Sequence, residues 1–470
     1  MSPQIDQSAL DRCIDRMRDA GMPDPLVRRF ARQHRAWSGG VTGRVPLDEV
    51  EPLGAGDLVD AAALPEPSAA HRAELYRRLV VIKLNGGLGT TMHLDRAKSL
   101  VPVRGGRSFL DLIAAQIRAL RAESGAGVPL LLMDSFRTRD DSLRALAGLE
   151  NPAGLPLDFL QHQVPRVHAR TGRPFGDRAD DASWTPPGHG DLYLALHTSG
   201  VLDALLDRGY RHAFVSNGDN LGATVDPRLL ADFVDRGRPL AMEVTDKTEA
   251  DRKGGTLVRR GERLFLLERA MVDDSEMHGF LDLDRFPVFN TNSLWVDLMA
   301  LRVALHGDLL DLPLIVNRKR VDDTPVLQFE TAMGAAIGCF SHTVGYRVGR
   351  ERFAPVKSTS DLLVVRSDAC RLDEGGAVRP DRAGAPPVVS LDGCYDALDA
   401  FEARAPHALG LRACRSLTVE GDVSFGRGVV ISGEVTLRAK APATVADGTR
   451  FEGGVWRFEV GRWVADESSR

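Results

Sequence analysis

The sequence predicts an α/β fold in which a mostly parallel β-sheet is covered by helices on both faces. Two observations support this fold class. From Leu79 onward, short apolar runs typical of buried strands alternate with amphipathic stretches of helical periodicity. Glycine-rich turns and polar residues follow several of these runs, as in open sheets that bind ligands at the carboxyl ends of their strands. Such alternation indicates repeated strand–helix units.

The composition is that of a globular protein with two or three domains. The chain has 470 residues, of which 43% are hydrophobic and 27% charged, and its net charge is -5. We therefore expect no nucleic acid partner, and the apolar runs fall short of the roughly 20 residues that span a bilayer. The start of the chain lacks a signal-peptide pattern, so a cytoplasmic protein is expected. The scattered cysteines are expected to be reduced.

The first two segments differ in their predicted elements. Residues 1–75 form a mainly helical lead-in segment, in which Leu10, Ile14 and Met17 are spaced on one helix face. Residues 76–375 contain the alternating strands and helices, and we predict that they form the catalytic domain. The sheet is expected to begin with LVVIKLN.

The later part of the chain has two departures from the alternating pattern. Between residues 256 and 295, a glycine-turn hairpin and a further strand predict an inserted antiparallel element that belongs to a second lobe. A Gly- and Pro-rich stretch then leads into residues 376–470, a linker followed by short β-branched runs separated by glycines. This pattern predicts a C-terminal β-helix-like domain, which either packs against the catalytic body or forms the contact of a homo-oligomer.

A glycine-rich turn follows the first strand of the predicted sheet. In VVIKLNGGLGTTMHLDRAKS, Asn85 to Gly89 occupy the place where backbone N–H groups face anions in an open α/β sheet. The spacing fits neither the dinucleotide-binding fingerprint nor the P-loop, and by itself it is also consistent with an ordinary tight turn. Lys98 follows nine residues after Gly89, and a glycine loop with such a lysine can bind a triphosphate from two sides.

Lysines are scarce in this chain. Only seven of its 60 basic residues are lysine, so each one indicates a need for a compact point charge. Lys357 follows a β run and precedes three small polar residues, a setting that suits a phosphate. Lys98 and Lys357 are also consistent with solvated surface residues when each is considered alone.

Several long motifs, in order, resemble one known family. They are LNGGLGT, AKS, PPGHGD, SNGDNLGATVD, MEVTDKTEADRKGGTL, FNTNSLW, QFETAMGAAI and FAPVKSTSDLL. Over about residues 75 to 370, the chain resembles eukaryotic-type UTP:glucose-1-phosphate uridylyltransferase, also called UDP-glucose pyrophosphorylase. The resemblance implies a Rossmann-like, GT-A-like nucleotidyltransferase with a mixed sheet flanked by helices. It also implies the Mg²⁺-dependent, reversible conversion of UTP and glucose 1-phosphate to UDP-glucose and pyrophosphate.

The resemblance also implies roles for individual residues. Lys98 and Lys357 are the implied catalytic cations, and Asp219 is the implied Mg²⁺ ligand. The implied nucleotide-binding residues are Leu84, Asn85, Gly86, Gly87, Met133, Gln161 and Gly190. The implied sugar- and phosphate-binding residues are His189, Asn217, Asn220, Gly255, Glu268, Asn290 and Asn292.

Residue chemistry supports some of these roles independently. Asp219 ends an apolar strand, where parallel-sheet enzymes place metal ligands, although asparagine and glycine neighbours are also ordinary turn formers. An amide such as that of Gln161 can pair with both the N–H and a carbonyl of uracil. His189 lies in a turn constrained by two prolines and two glycines, so it is either a ligand contact or a core histidine.

Two alternative functions stay open, and the chain departs from the family pattern at one place near Lys98. The same chemistry with N-acetylglucosamine 1-phosphate, or with a broad range of sugar 1-phosphates, would change only the residues that face the hexose. A non-catalytic sugar-nucleotide binding protein would retain the fold without needing groups that hold pyrophosphate. Many relatives carry an extra lysine between the glycine loop and the position of Lys98, whereas this chain has Arg96 in that stretch.

Overall fold

The computed structural model describes residues 8–54 and 56–466. These residues form twelve α-helices, which are bounded as follows. They are α1 (Ser8–Asp19), α2 (Asp24–Ser38), α3 (Ala69–Arg77), α4 (Phe109–Ser124), α5 (Arg139–Ala145), α6 (Leu192–Thr198), α7 (Val201–Asp207), α8 (Pro227–Asp235), α9 (Met277–Phe280), α10 (Leu298–His306), α11 (Thr359–Arg366) and α12 (Leu398–Arg404).

The same residues form 26 β-strands. The first thirteen are β1 (Leu58–Asp60), β2 (Leu79–Leu84), β3 (Pro102–Arg104), β4 (Arg107–Ser108), β5 (Leu130–Asp134), β6 (Asp158–Leu160), β7 (Val164–Pro165), β8 (Val167–His168), β9 (Trp184–Thr185), β10 (His212–Asn217), β11 (Leu240–Asp246), β12 (Thr256–Arg260) and β13 (Arg263–Leu267). The others are β14 (Val288–Asp297), β15 (Ile315–Val321), β16 (Thr324–Glu330), β17 (Val344–Arg347), β18 (Cys370–Leu372), β19 (Val378–Pro380), β20 (Val388–Ser390), β21 (Cys414–Glu420), β22 (Val423–Phe425), β23 (Val430–Arg438), β24 (Ala443–Val445), β25 (Arg450–Glu459) and β26 (Arg462–Ala465).

A large mixed sheet lies at the centre of the molecule. Its eight strands are in the order β1-β17-β11-β14-β10-β2-β5-β6. All neighbours pair in parallel except β14, which is antiparallel to both β10 and β11. The prediction of an α/β fold with a mostly parallel sheet is therefore confirmed, and the sheet is mixed because of this one strand.

The placement of β14 corrects one sequence prediction. The strand FNTNSLW was expected in an inserted antiparallel element, but it pairs with two strands in the middle of the central sheet. Both faces of β14 are buried, as its nearly continuous burial shows. The hairpin of β12 and β13 does form as predicted, and its apolar residues share a core with the central strands.

The N-terminal helices pack on their own apolar cluster. In α1, Cys13 and Met17 are buried, whereas Leu10 and Ile14 are only partly covered, so the buried face is rotated from the predicted one. The Phe30 ring in α2 lies 5.8 Å from that of Phe329 in β16. This contact ties the lead-in helices to the β15–β16 hairpin.

The C-terminal strands form a separate sheet that shares a core with the catalytic body. Strands β20, β21, β23 and β25 pair in parallel, and β26 pairs antiparallel with β25. A second pair, β22 and β24, is also parallel. All five cysteines are free, as predicted. In the described ranges, the helices are all too short or too polar to cross a membrane.

The structure does not test the boundaries 1–75, 76–375 and 376–470, and they stay predictions of the sequence. Residues 1–7 and 467–470, at the ends of the outer two segments, lie outside the described part of the chain.

Candidate active site

The glycine loop and the Asp219 loop leave adjacent strands at the same edge of the central sheet. Leu84 and Asn217 are register partners at the ends of the parallel strands β2 and β10. The Gly218 N–H donates to the Leu84 carbonyl at 2.9 Å. A Cβ at position 218 would lie 3.0 Å from that oxygen, so the close approach of the two loops requires glycine here.

Lys98 and Asp219 form an ion pair between these loops. The Lys98 Nζ lies 2.6 Å from Asp219 Oδ2, and the two side chains are 15% and 22% exposed. The Lys98 N–H donates to the Gly87 carbonyl at 3.3 Å, which folds the glycine loop back over the pair. The structure thus brings together the predicted triphosphate lysine, the predicted metal ligand and the glycine loop.

Lys357 lies on a segment that is bonded to the Asp219 backbone. The Val356 N–H donates to the Asp219 carbonyl at 3.2 Å, and the Thr91 hydroxyl donates to the Lys357 carbonyl at 2.7 Å. Lys357 is exposed, and its charge acts on Glu268. Lys98 is thus paired with Asp219, and the segment that carries Lys357 is hydrogen-bonded to the Asp219 backbone.

The residues predicted to bind the nucleotide differ in how their side chains are used. Gln161 Nε2 donates to the Gly188 carbonyl at 2.9 Å, and a Cβ at Gly86 would lie 2.9 Å from Gln161 Oε1. Gly87 faces open space. Leu84 is half-buried at the end of β2. Gln161 therefore lies between the glycine loop and the 188–190 turn.

Asn85 and Met133 support the glycine loop from inside the protein. The Asn85 amide donates to Asp134 Oδ1 at 2.6 Å and to the Ser142 hydroxyl at 2.7 Å, and its backbone N–H donates to the Met133 carbonyl. Met133 is only 2% exposed in β5. The Asn85 side chain therefore fixes the start of the glycine loop.

His189 is held as a neutral imidazole. Burial lowers its pKa to about 4, and its Nδ1 accepts the Met333 N–H at 3.0 Å. The acceptor role at Nδ1 leaves the proton on Nε2, which can donate to a ligand. Gly190 donates its N–H to the Thr331 carbonyl at 2.8 Å, which anchors the same turn.

Two asparagines near the sheet edge contact each other. Asn292 Nδ2 donates to Asn217 Oδ1 at 2.8 Å, and the Asn292 N–H donates to Asn290 Oδ1 at the same distance. Asn292 has a φ of 59°, a left-handed conformation that asparagine tolerates better than most residues. Its Oδ1 is buried and lacks a partner among the described residues, so it is free to accept a hydroxyl hydrogen bond.

A buried carboxyl lies next to the glycine pair at 254 and 255. Glu268 accepts a hydrogen bond from Asn290, and burial raises its pKa above the ordinary value. The Asn290 N–H donates to the Gly255 carbonyl at 2.9 Å. A Cβ at Gly255 would lie 2.6 Å from Glu268 Oε2, so glycine leaves the room that this carboxyl occupies.

Comparison with known proteins identifies the family to which this site belongs. The family model described as UTP--glucose-1-phosphate uridylyltransferase matches residues 27–432. The chain belongs to this family. Enzymes of that name from Musa acuminata and Saccharomyces cerevisiae are 42% and 41% identical over 402 and 367 residues. These matches cover 84% and 77% of this chain, and 86% and 74% of the relatives.

Solved structures agree with this membership. A UDP-glucose pyrophosphorylase variant from Leishmania major, in complex with UDP-glucose, is 37% identical with a TM-score of 0.88. The match covers 96% of this chain and 99% of that structure. A second structure, from Trypanosoma brucei, is 36% identical with a TM-score of 0.87 and covers 96% and 100% of the two chains. The resemblance to UTP--glucose-1-phosphate uridylyltransferases predicted from the motifs is confirmed.

One predicted sugar-binding residue holds the backbone in this uridylyltransferase-family fold. Asn220 is 1% exposed, and its amide donates to the Arg352 carbonyl at 3.1 Å. Its Oδ1 accepts the N–H groups of Gly222 and Ala354. The structure therefore shows Asn220 as a clamp between two backbone segments, and its contact with the sugar stays a prediction.

Sequence reasoning missed several polar residues beneath the uridylyltransferase site. Asp134 is fully buried under Asn85, and burial raises its pKa to about 6. Lys83, Glu243 and Arg352 are also buried, in strands or turns next to the Asp219 loop. Two signals were available in the sequence: an acidic residue that ends the apolar run LLLMD, and a lysine inside the apolar run VVIKL.

The Asp219 carboxylate fits a magnesium ion. Its Oδ1 is buried with no hydrogen-bond partner in residues 8–54 and 56–466, while Oδ2 is paired with Lys98. No group of three or more His, Cys, Asp and Glu side chains suited to a metal occurs in those ranges. Mg²⁺ usually takes one or two carboxylates together with substrate phosphates and waters, so one carboxylate oxygen is a sufficient protein donor here. Arg96 is exposed near this pair.

Proposed function

We propose that this chain forms UDP-glucose and pyrophosphate from UTP and glucose 1-phosphate in a reversible, Mg²⁺-dependent reaction. The observation that carries the proposal is the Lys98–Asp219 pair beneath the glycine loop. It supplies a cation and a metal-ligand oxygen at the carboxyl end of two parallel strands. The names of its relatives, at about 40% identity over most of the chain, support the same activity.

The protein groups would act by positioning and by neutralising charge. The sugar phosphate oxygen attacks the α-phosphorus of UTP in line, and pyrophosphate leaves on the opposite side. Nucleophile and leaving group are already ionised, so a covalent enzyme intermediate is unnecessary. The N–H groups at Gly86 and Gly87 and the Lys98 ammonium would hold the triphosphate, and Lys357 would hold the sugar phosphate. Bound Mg²⁺ would supply further neutralisation of the phosphate oxygens at Asp219.

The remaining site residues would set the two substrates in place. Gln161 would read the uracil edge, with the backbone at Gly190 and the buried Met133 shaping that pocket. His189 would donate its Nε2–H to the sugar phosphate, since its Nδ1 is already an acceptor. Glu268, Asn290 and Asn292 would bind hexose hydroxyls, with the unpartnered Oδ1 of Asn292 as one acceptor.

A substrate panel tests the proposed function. Purified protein is incubated with UTP, Mg²⁺ and glucose 1-phosphate, galactose 1-phosphate or N-acetylglucosamine 1-phosphate, and pyrophosphate release is measured. We expect release with glucose 1-phosphate at least about tenfold faster than with the others, a typical discrimination for one or two lost hydroxyl contacts. Tight UDP-glucose binding without Mg²⁺-dependent pyrophosphate exchange would instead identify a binding protein.

The Gly255→Ala variant is expected to weaken sugar binding selectively. The new Cβ would lie 2.6 Å from Glu268 Oε2, and it would displace this buried carboxyl from Asn290. We expect the KM for glucose 1-phosphate to rise about tenfold, equivalent to one lost hydrogen bond, with the KM for UTP nearly unchanged. The exposed Gly56, where a Cβ meets only open space, provides the control variant Gly56→Ala. An equal rise in both KM values would contradict the role of Glu268.

Three further predictions concern the C-terminal strands, the oligomeric state and the location in the cell. We propose that residues 388–459 form a short β-helix-like unit, which the parallel pairings β20-β21-β23-β25 and β22-β24 support. Homo-oligomer formation through this unit and a cytoplasmic location stay predictions of the sequence.

A further inference from the structure

Lys83 is a buried lysine to which the proposed chemistry gives no role. It lies in β2, directly before the glycine loop, and is 2% exposed. Its ammonium donates to the Ser216 hydroxyl at 2.6 Å and to the Ala223 carbonyl at 2.9 Å. Ser216 and Ala223 flank the loop that carries Asp219, so one side chain holds both ends of that loop.

A buried ion pair also contacts the backbone at the end of this loop. Arg352 binds the Glu243 carboxylate with two hydrogen bonds of 2.9 and 2.7 Å. The same guanidinium donates to the Thr224 carbonyl at 2.8 Å. Trp295 Nε1 donates to Glu243 Oε1 at 3.1 Å, which fixes the carboxylate against β14. We call Lys83, Glu243 and Arg352 the buried charge cluster.

The loop held in this way is bonded to the segment that carries Lys357. The Asn220 amide donates to the Arg352 carbonyl, and Asn220 Oδ1 accepts the Ala354 N–H at 3.0 Å. The Val356 N–H donates to the Asp219 carbonyl. Asp219 and Lys357 are therefore on backbone segments that are hydrogen-bonded to each other. Lys83 and Arg352 of the buried charge cluster bind the ends of the Asp219 loop.

Folding stability alone does not explain this cluster. Glu243 is paired with Arg352, while Lys83 binds only neutral groups, and burial, reinforced by the charge of Arg352, lowers the pKa of Lys83 to about 7. Buried ionic groups of this kind are often replaced by apolar residues with no loss of stability, or with a gain. The two hydrogen bonds that Lys83 makes to the ends of the Asp219 loop account for an ammonium at this buried position.

We infer that Lys83 is a positioning residue, which fixes the loop of Asp219 against the glycine loop and Lys98. The inference rests on the proposed function, since it assigns Lys83 to the same site. The Lys83 and Ser216 side chains are on register partners of adjacent strands, so the ammonium transmits the position of β2 directly to the start of the loop. Without it, the loop would lose a side-chain contact that joins its two ends.

Hydrogen exchange of the substrate-free Lys83→Met variant tests the inference. Methionine has a similar length and no charge, so it removes the cost of burying the ammonium but leaves the Ala223 carbonyl without its donor. Because these effects oppose each other, we expect a thermal midpoint within about 5 °C of the natural protein. Amides in residues 217–224 are expected to exchange about tenfold faster, because the loop opens more often. Turnover is expected to fall about 10- to 100-fold, with the KM for UTP within about threefold, because a small displacement of positioned groups mainly affects the chemical step.

Two further variants keep the test decisive. Ser216→Ala removes one acceptor and retains the lysine, so smaller changes in the same direction are expected even where Lys83→Met is poorly folded. Lys319→Met, at an exposed position of β15, should leave exchange and turnover unchanged. Exchange of residues 217–224 within about twofold of the natural protein in both Lys83→Met and Ser216→Ala would overturn the inference. Absence of pyrophosphate release by the natural protein would refute the proposed function, while the exchange rates would still decide whether Lys83 orders the loop.

Discussion

Replacement of Lys98 by alanine is expected to lower turnover about 100- to 1,000-fold at saturating substrates. The Lys98 ammonium is the cation closest to Asp219, and we propose that it stabilises the departing pyrophosphate. Loss of one such electrostatic donor typically costs about 3 to 4 kcal/mol in the barrier, which corresponds to that factor. The effect should appear in kcat, because charge on the leaving group develops mainly in the transition state. Steady-state kinetics in the direction of pyrophosphate release measures it.

The control for this prediction is Lys319→Ala, which removes a lysine from an exposed strand position. It should leave kcat and both KM values unchanged. Lys98→Ala should still bind UDP-glucose, as measured by calorimetry. Such binding would show that the site is still formed. Near-normal turnover of Lys98→Ala at saturating substrates would exclude the proposed role.

Lys98→Arg separates charge from geometry. The guanidinium retains the positive charge, but it is planar and wider than an ammonium. Lys98 is only 15% exposed and lies between the glycine loop and the Asp219 loop, where the space suits a compact cation. We therefore expect Lys98→Arg to recover only part of the lost turnover. This expectation agrees with the use of lysine here in a chain that otherwise prefers arginine.

The proximity of the glycine loop and Asp219 can be predicted from the sequence, because the fold class determines where strand ends meet. LVVIKLN and HAFVSNGD were both recognisable as buried strands, and parallel strands end at the same edge of a sheet. The glycine loop and Asp219 were therefore expected to be close, and the Lys98–Asp219 pair lies there. The order of strands in the sheet was harder to predict. The apolar pattern of β14 indicates that the strand is buried, but it does not show which strands pair with it.

Residue type alone did not separate ligand-facing side chains from those that hold the backbone. Asn85 and Asn220 belong to the motifs that define the family, yet both amides bind protein groups in the interior. Motifs combine ligand contacts with the residues that shape the loops, and only coordinates distinguish the two. Lys83 was missed for a different reason. Its apolar neighbours indicate a buried strand, but the sequence pattern does not show that its ammonium reaches the Asp219 loop.

Asp219→Asn is expected to lower turnover by about three decades and to abolish the response to Mg²⁺. Asparagine retains the size of the side chain but loses the negative charge, and a neutral amide is a weak ligand for Mg²⁺. Metal assistance of this kind contributes several kcal/mol to transition-state stabilisation, and about 4 kcal/mol corresponds to three decades. Turnover is measured across a Mg²⁺ titration, with Asp323→Asn as control because that side chain is fully exposed in a hairpin turn.

The double variant Lys98→Ala/Asp219→Asn distinguishes two roles for this carboxylate. A carboxylate that served only to orient the Lys98 ammonium would have nothing to orient in Lys98→Ala, so the second substitution would then cost nothing. A carboxylate that also provides its unpartnered Oδ1 to a metal should lower turnover further in that background. We expect the second result, with an additional loss of at least about tenfold, because Oδ1 and Oδ2 of Asp219 would serve separate partners. If the double variant and Lys98→Ala had equal turnover, Asp219 would only position the Lys98 ammonium. The proposed metal site at Asp219 would then be wrong.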